Sequence, residues 1–149
     1  MMYLTDAQAA EFFAMRRALD GYVSKITENP VEINENMCAI RQWEPGTYSA
    51  ETSDKPADVR MFAGVPYKCK QSHDSTSNPA WNPANAPALW GHYHGTTPET
   101  ARPFEADAAN MYEIGEYATE NGKIWLNNYD GNVYSPSVLP ERWTYVRDV

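Results

Sequence analysis

The chain has 149 residues and a formal net charge of −8, the length of one ordinary domain or two very small ones. An acidic surface repels phosphate backbones and anionic headgroups, which disfavours binding to nucleic acid and electrostatic docking on membranes, and no stretch approaches the roughly 20 apolar residues of a bilayer span. Ten Tyr, five Trp and four Phe stand beside eleven Pro, a composition suited to small β modules in which a few aromatic rings replace a large core.

The first segment reads as a helix. Thr5-Asp6-Ala7-Gln8 is a capping box, and after it Phe12, Met15, Leu19, Tyr22 and Ile26 recur at alternating spacings of three and four, the period of a heptad seam. Phe13 and Val23 widen the stripe. Asn29-Pro30 is expected to end the helix, since the residue before proline avoids the α region. A helix this short is marginal alone in water and must bury its stripe on something. Two destinations stand open: the chain's own downstream part, or other copies joined in a short coiled coil. The small modules that follow favour self-association, so residues 1–29 are expected to form an oligomerising helix that uses Phe12, Met15, Leu19, Tyr22 and Ile26. The opening MMYLTDAQAAEFF has neither the basic start nor the apolar run of a signal peptide, so the ordinary secretion route is not expected.

Residues 30–42 (PVEINENMCAIRQ) read as an extended connector. From Trp43 onward the chain repeats itself. Asp58-Val59 precedes Gly64 at the distance by which Glu116-Tyr117 precedes Gly122, each glycine is followed three residues on by an aromatic (Tyr67, Trp125), and each copy closes on Pro-x-x-Trp, ending at Trp90 and Trp143. Ala63-Gly64 and Asn121-Gly122 predict two-residue hairpin turns, because such turns need positive φ at both positions and Asn-Gly supplies it. The return strands are then Val65 to Gln71 and Lys123 to Tyr129, with third strands starting at Trp90 and Trp143. The predicted fold is mainly β behind an N-terminal α-helix: two small three-stranded antiparallel modules in tandem, at residues 43–94 and 104–149, separated by a linker at 95–103. The expected core is an aromatic cluster in each copy, Trp43, Tyr48, Val59, Tyr67 and Trp90 in the first and Tyr112, Tyr117, Trp125, Trp143 and Val146 in the second. Cys38 and Cys69 fit no zinc or redox spacing and read as two thiols, with a disulfide the alternative.

The motifs of catalysis are missing: there is no Gly-x-Ser-x-Gly, no His-Glu-x-x-His and no phosphate-cradling glycine loop, so no enzyme and no cofactor is assigned. Asp58 and Glu116 occupy equivalent repeat positions, which suits a structural task such as bonding backbone amides at the turn. His92 and His94, two apart on a strand, point the same way, with His73-Asp74 elsewhere; no further ligand has a recognisable spacing, and no metal is assigned. Lys68 and Lys70 share one strand face and read as solvated.

The order aromatic, acidic residue plus strand former, Gly-x-x-aromatic, loop, Pro-x-x-Trp resembles the small chitin-binding modules carried by bacterial chitinases. Gly115-Glu116 and, in part, Ala57-Asp58 match that family's Gly-Asp; Gly64 to Tyr67 and Gly122 to Trp125 match its hairpin; Trp90 and Trp143 match its closing Trp. The stretch from Trp43 to Val149 is similar to tandem modules of this type in phage and prophage proteins of Gram-positive hosts, through RQWEPGTY, VRMFAGVPYKCKQSHDS, PALWGHYHGT and ETARPF. The family carries an exposed Trp pair after the hairpin aromatic, where this chain has Lys68 to His73 and Leu126 to Tyr129, with Tyr129 the ring available. The resemblance implies a non-enzymatic virion component (fibre, tail or head accessory), a homotrimer as in phage fibres, exposed on the particle beside other virion proteins and directed at a host-surface or environmental glycan. Two alternatives are a purely structural spacer and a cell-wall-binding subunit of a lytic system. Sugar recognition needs aromatic faces for the apolar side of a ring and polar groups for its hydroxyls. The candidate platforms are Tyr129, Tyr134, Trp81 and Tyr93, and the candidate hydrogen-bonding groups are His73, Asp74, Asn78, Asn128 and Asp130.

Overall fold

The computed structural model describes residues 3–149. Helix α1 spans Asp6–Ile26 and opens on the expected capping box: Gln8 N donates to Thr5 Oγ1 at 3.1 Å and Thr5 N to Gln8 Oε1 at 2.9 Å. It stops at Ile26, before the proline. The chain then turns helical again, as α2 (Pro30–Glu35) and a 3₁₀ turn (Met37–Ala39), where an extended connector was expected. Asn29 caps α2, accepting from Glu32 N at 3.2 Å, and Pro30 occupies the first turn, where its missing N–H costs nothing. Asn-Pro-x-Glu is a helix start as well as a helix stop, and here it serves as both.

The stripe of α1 divides. Val23 and Ile26 are buried and Leu19 half-buried, packed with Ile33, Ala39, Ile40, Val59, Met61 and Tyr93. The second half of the helix therefore docks on the chain's own first sheet, and Leu19 and Ile26 are not free for the oligomerisation seam assigned to them. Each such side chain taken from water contributes about 1.5–3 kcal/mol. Asp20 fastens this half: Arg41 Nη2 approaches it at 2.8 Å and Arg16 at 2.7 Å. Burial would raise the Asp20 carboxyl, but the hydrogen bonds from Arg41 and Arg16 outweigh it and leave the pKa lowered. Among the described residues, the first half of the helix has no such partner. Phe12, Phe13 and Met15 are each more than half exposed, and Tyr22 is exposed as well.

The β part begins with β1 (Thr47–Tyr48), β2 (Val59–Phe62), β3 (Val65–Cys69), β4 (His73–Asp74) and β5 (Trp90–His92), and continues with β6 (Arg102–Pro103), β7 (Tyr117–Glu120), β8 (Lys123–Asn127) and β9 (Trp143–Asp148). Strands β2, β3 and β5 form one antiparallel sheet, and β1 pairs with β4 beside it. The second sheet runs β6-β7-β8-β9. Both hairpins turn where expected, with φ of 50° and 79° at Ala63 and Gly64 and 54° and 74° at Asn121 and Gly122. Alanine in that conformation costs about 1 kcal/mol, which the pairing on either side must offset.

Each sheet carries the same knot of rings. Trp90 is buried with its ring edge-on to Tyr48, centroids 5.0 Å apart at 71°. Trp143 meets Tyr112 at 5.3 Å and 70°. The backbone bonds around them correspond: Cys69 N donates to Asp58 O and Asn127 N to Glu116 O, while Lys70 N donates to Leu89 O and Asn128 N to Arg142 O. Cys69 completes the first knot with half-buried Trp43 and Tyr67, and Ala118, Phe104 and Trp125 surround the second. Val59, expected among the rings, belongs instead to the core beneath α1, and Tyr117 and Val146 are half-buried. Cys38 is exposed and Cys69 buried, both as free thiols.

Residues 95–103 are not a free linker. Gly95 bridges to Tyr117, a 3₁₀ turn follows at Pro98–Thr100, and β6 adds a parallel fourth strand to β7, so the second sheet exceeds the three strands expected. A Cβ on Gly95 would lie 2.2 Å from Thr100 O, so only glycine lets the turn close there. Arg102, on β6, is buried. Its Nη1 donates to Tyr93 O and its Nη2 to Asn34 Oδ1, both at 2.6 Å. Asn34 Nδ2 in turn donates to His94 O at 3.0 Å and to Pro30 O at 2.8 Å. This one network joins α2, the end of the first sheet and the edge of the second. Among the described residues, no helix is long and apolar enough to cross a membrane.

Arg102→Met keeps the bulk of the side chain and strips the donors, leaving Tyr93 O and Asn34 Oδ1 buried without partners. Chemical denaturation is expected to read a loss of about 2–4 kcal/mol; a variant within 0.5 kcal/mol of the parent would show that the network does not hold the halves together.

Candidate functional site

Tyr129 and Tyr134 are brought together by a residue the sequence reading passed over. The Arg142 guanidinium lies over the Tyr129 ring at 3.5 Å and near the Tyr134 ring at 5.5 Å. The two phenol rings remain about half exposed, while the cation holds them by attraction to the negative face of each ring. Arg142 is itself fixed, since it ends the 3₁₀ turn Pro140–Arg142 and its carbonyl accepts from Asn128 N at 2.8 Å.

The loop beneath the rings is braced from inside. Asn127 and Asn132 are fully buried. Asn127 Nδ2 donates to Tyr129 O at 2.7 Å, Asn132 Nδ2 to Asn127 Oδ1 at 2.8 Å, and Tyr134 N to Asn132 Oδ1 at 3.0 Å. Trp143 Nε1 donates to Tyr134 O at 2.9 Å, so the core ring of the knot also anchors the platform. Asn128, exposed, donates its side-chain amide to Thr144 Oγ1, and Asp130 accepts from Ile114 N at 3.0 Å. Two half-exposed rings held on a braced loop can stack against the flat apolar face of a hydroxylated ring.

The first copy has no counterpart. By the matching backbone bonds, Gln71 stands where Tyr129 does and Leu89 where Arg142 does. Trp81 is exposed in the loop before β5, and among the described residues it pairs with no other ring. His73 is not displayed as a ligand group. Its half-buried ring leans on Tyr48 at 5.8 Å and Trp90 at 5.6 Å, and its Nδ1 donates to Gln71 O at 2.7 Å. Asp74 is exposed but spent on its own turn, accepting from Thr76 N at 2.9 Å and Thr76 Oγ1 at 2.6 Å, which lowers its pKa. Asn78 is exposed and its carbonyl accepts from Trp81 N at 3.0 Å. Tyr93 is buried, with its hydroxyl donating to Thr27 O at 2.7 Å. It belongs to the core under α1 and offers no face to a ligand.

The repeated carboxylates differ in task. Asp58 Oδ2 accepts from Ser49 N at 2.8 Å, the structural role expected. Glu116 Oε2 is buried with no partner, and burial pushes this carboxyl up to about 7, more than the backbone bond from Glu113 pulls it down. His94 is buried against Tyr112, rings stacked at 3.5 Å, and sits 4.9 Å from His92. Burial first, and the neighbouring His92 second, bring it down to about 3. Among the described residues no three metal-ligating side chains gather. Lys68 and Lys70, expected on a solvated face, instead reach Glu28 at 3.5 Å and Asp107 at 3.2 Å.

The family model of carbohydrate-binding module family 5/12 matches residues 58–91, from the start of the first hairpin to the closing Trp90. That stretch has the character of a carbohydrate-binding module with chitin-binding likeness, a non-catalytic binding unit. No curated protein matches the chain.

Two of these groups set opposing pH dependences. His94 binds its proton more weakly in the fold, so its contribution is complete above about pH 6.5 and is lost as pH falls toward 3; the lowered His92 acts in the same direction. Glu116 binds its proton more tightly in the fold, so its contribution is complete below about pH 4.5 and is lost as pH rises through 7. Glu116→Gln is therefore expected to match the parent near pH 4 and exceed it at pH 8 by on the order of 1–2 kcal/mol, discounted for the part of the carboxyl that still meets solvent. Urea titrations at both pH values check this, and equal differences at the two would contradict it.

Proposed function

We propose that the protein is a non-enzymatic glycan-binding component of a phage or prophage virion, and that the second copy of its module presents the working platform, Tyr129, Arg142 and Tyr134. The observation that carries this reading is the pair of half-exposed rings clamped by one guanidinium, on the copy that repeats the knot and hairpin of the matched stretch. Rings already fixed before binding lose little freedom when a sugar stacks on them. Asn128 and Asp130, exposed on the same loop, are the groups we assign to a sugar's hydroxyls. The particle assignment rests on the likeness of the 43–149 stretch to phage and prophage modules, and so does exposure on the particle surface.

A single small platform binds weakly, and joining copies multiplies it. The bare first half of α1, with Phe12, Phe13 and Met15 exposed beside Tyr3 and Leu4, supplies a surface for that joining, and a homotrimer is the assembly we infer. The docked half of the same helix then holds the modules against the stalk.

The full chain is expected to be retained on insoluble chitin or purified peptidoglycan, and Tyr129→Ala or Tyr134→Ala to weaken retention about tenfold, the loss of roughly 1.4 kcal/mol of stacking. Retention unchanged by both substitutions would defeat the platform, and no retention on either polymer or on a glycan array would defeat glycan binding altogether. Light scattering is expected to give the mass of a trimer for the parent and of a monomer for Phe12→Asp/Met15→Asp; a monomeric parent would overturn the assembly.

A further inference from the structure

The cation that clamps the platform keeps its donors free. Arg142 Cζ lies over the Tyr129 ring at 3.5 Å, contact distance, and such a contact uses the flat side of a guanidinium while its N–H groups radiate in its own plane. Among the described residues those donors reach no protein acceptor, neither a carbonyl nor a carboxylate, whereas Arg16, Arg41 and Arg147 each meet a carboxylate. Arg142 is half-buried, yet none of its nitrogens is among the buried atoms that lack a partner. The N–H groups are therefore open to solvent. The scaffold does not require a cation here: the first copy closes its sheet with Leu89 at the equivalent place, where the carbonyl accepts from Lys70 N as that of Arg142 accepts from Asn128 N.

The acidic groups of this region do not neutralise it by pairing. Asp130 accepts from Ile114 N at 3.0 Å and Glu113 from Gly131 N at 3.1 Å, and Glu141, exposed and next to Arg142 in the chain, makes no ion pair with it. A guanidinium without a carboxylate is matched by a carboxylate from outside, which takes two parallel N–H bonds in the plane of the fork. The net charge of −8 limits how dense the ligand's own charge can be. Screening confines each charge to about 8 Å at physiological salt, so a lone carboxylate at Arg142 feels chiefly that cation and its few neighbours. A polymer with closely spaced anions would meet the acidic remainder of the surface as well.

We propose that Arg142 sets the specificity of the platform: it selects a sparsely acidic glycan, one in which hexuronic acid residues alternate with neutral sugars, the carboxylate accepting from the guanidinium while a neutral sugar stacks on the exposed part of Tyr129 or Tyr134. The inference rests on the glycan-binding reading of the platform and adds to it the class of ligand. The rings alone favour any sugar with an apolar face; the free cation beside them favours the acidic ones.

The test titrates the full-length protein, labelled with ¹⁵N, with three oligosaccharides of equal length: a hyaluronan fragment, in which glucuronate alternates with N-acetylglucosamine; the same fragment with its carboxyl groups reduced to alcohols; and the all-N-acetylglucosamine oligomer. Amides of residues 127–134 and 142 report on the platform. The hyaluronan fragment is expected to bind about tenfold more tightly than either neutral oligomer, the contribution of a charge-assisted pair at an open site. That advantage is expected to shrink as salt rises from about 0.05 M to about 0.5 M, where the screening length falls to about 4 Å, and to vanish in Arg142→Gln. Equal or tighter binding of the neutral oligomers at the same amides would overturn the acidic specificity and leave the platform standing. An advantage that survives Arg142→Gln would overturn the role of Arg142. No saturable shift at these amides with any of the three would overturn the platform and this inference together. The comparison of native and reduced hyaluronan uses the parent protein alone, so it decides the acidic preference even where Arg142→Gln fails to fold.

Discussion

A buried cation that pairs with no carboxylate among the described residues carries the architecture. Arg102 sits where burial works against its charge, and it offsets that cost with neutral acceptors, Tyr93 O, Asn34 Oδ1 and, at 3.6 Å, Met37 Sδ. A guanidinium is planar and multiply donating, so one side chain can tie two segments far apart in sequence. Because Asn34 reaches on to His94 O and Pro30 O, the orientation of α2, the exit of the first sheet and the entry of the second are set together. Two sheets that would each be marginal alone thereby share one foundation.

The two ring knots show what a repeat preserves and what it releases. The Tyr–Trp edge contact, the hairpin with two positive-φ residues and the bond accepted by the carbonyl just before each closing Trp recur, since each answers the same need to close a very small sheet. The groups facing solvent have diverged. In the first copy Trp90 Nε1 finds no partner, whereas in the second the matching atom of Trp143 bonds Tyr134 O and fixes a loop that carries two exposed rings. The matched stretch of the family model and the aromatic platform consequently fall in different halves of the chain.

Helix α1 serves two masters along its length. Its second half is sequestered by an aliphatic core and by the Asp20–Arg41 pair; its first half ends in exposed Phe and Met. The sequence reading left docking and self-association open, and the two halves divide those alternatives between them: docking is present in the fold, and the bare half keeps self-association as a proposal. Apolar side chains at seam spacing say that a stripe must be covered, while what covers it depends on the surfaces that the rest of the chain builds.

The local features were legible in the order of residues because neighbours in the chain create them. The capping box at Thr5 and Gln8, the turns at Ala63-Gly64 and Asn121-Gly122, and the paired closing Trp residues each rest on contacts or φ angles a few residues apart. Tyr129 and Tyr134 were legible as exposed rings. Tertiary structure alone decided the rest. It burned no new motif into view; it brought distant residues together, Arg142 between the tyrosines, His94 onto the Tyr112 ring, Arg102 into reach of Asn34. It also withdrew Tyr93 and most of His73 from solvent, since the α1 core and the first knot needed their rings. Short-range sterics and hydrogen bonding belong to the sequence itself, but burial, and with it the availability of a ring, a carboxyl or an imidazole for binding, is a property of the assembled chain.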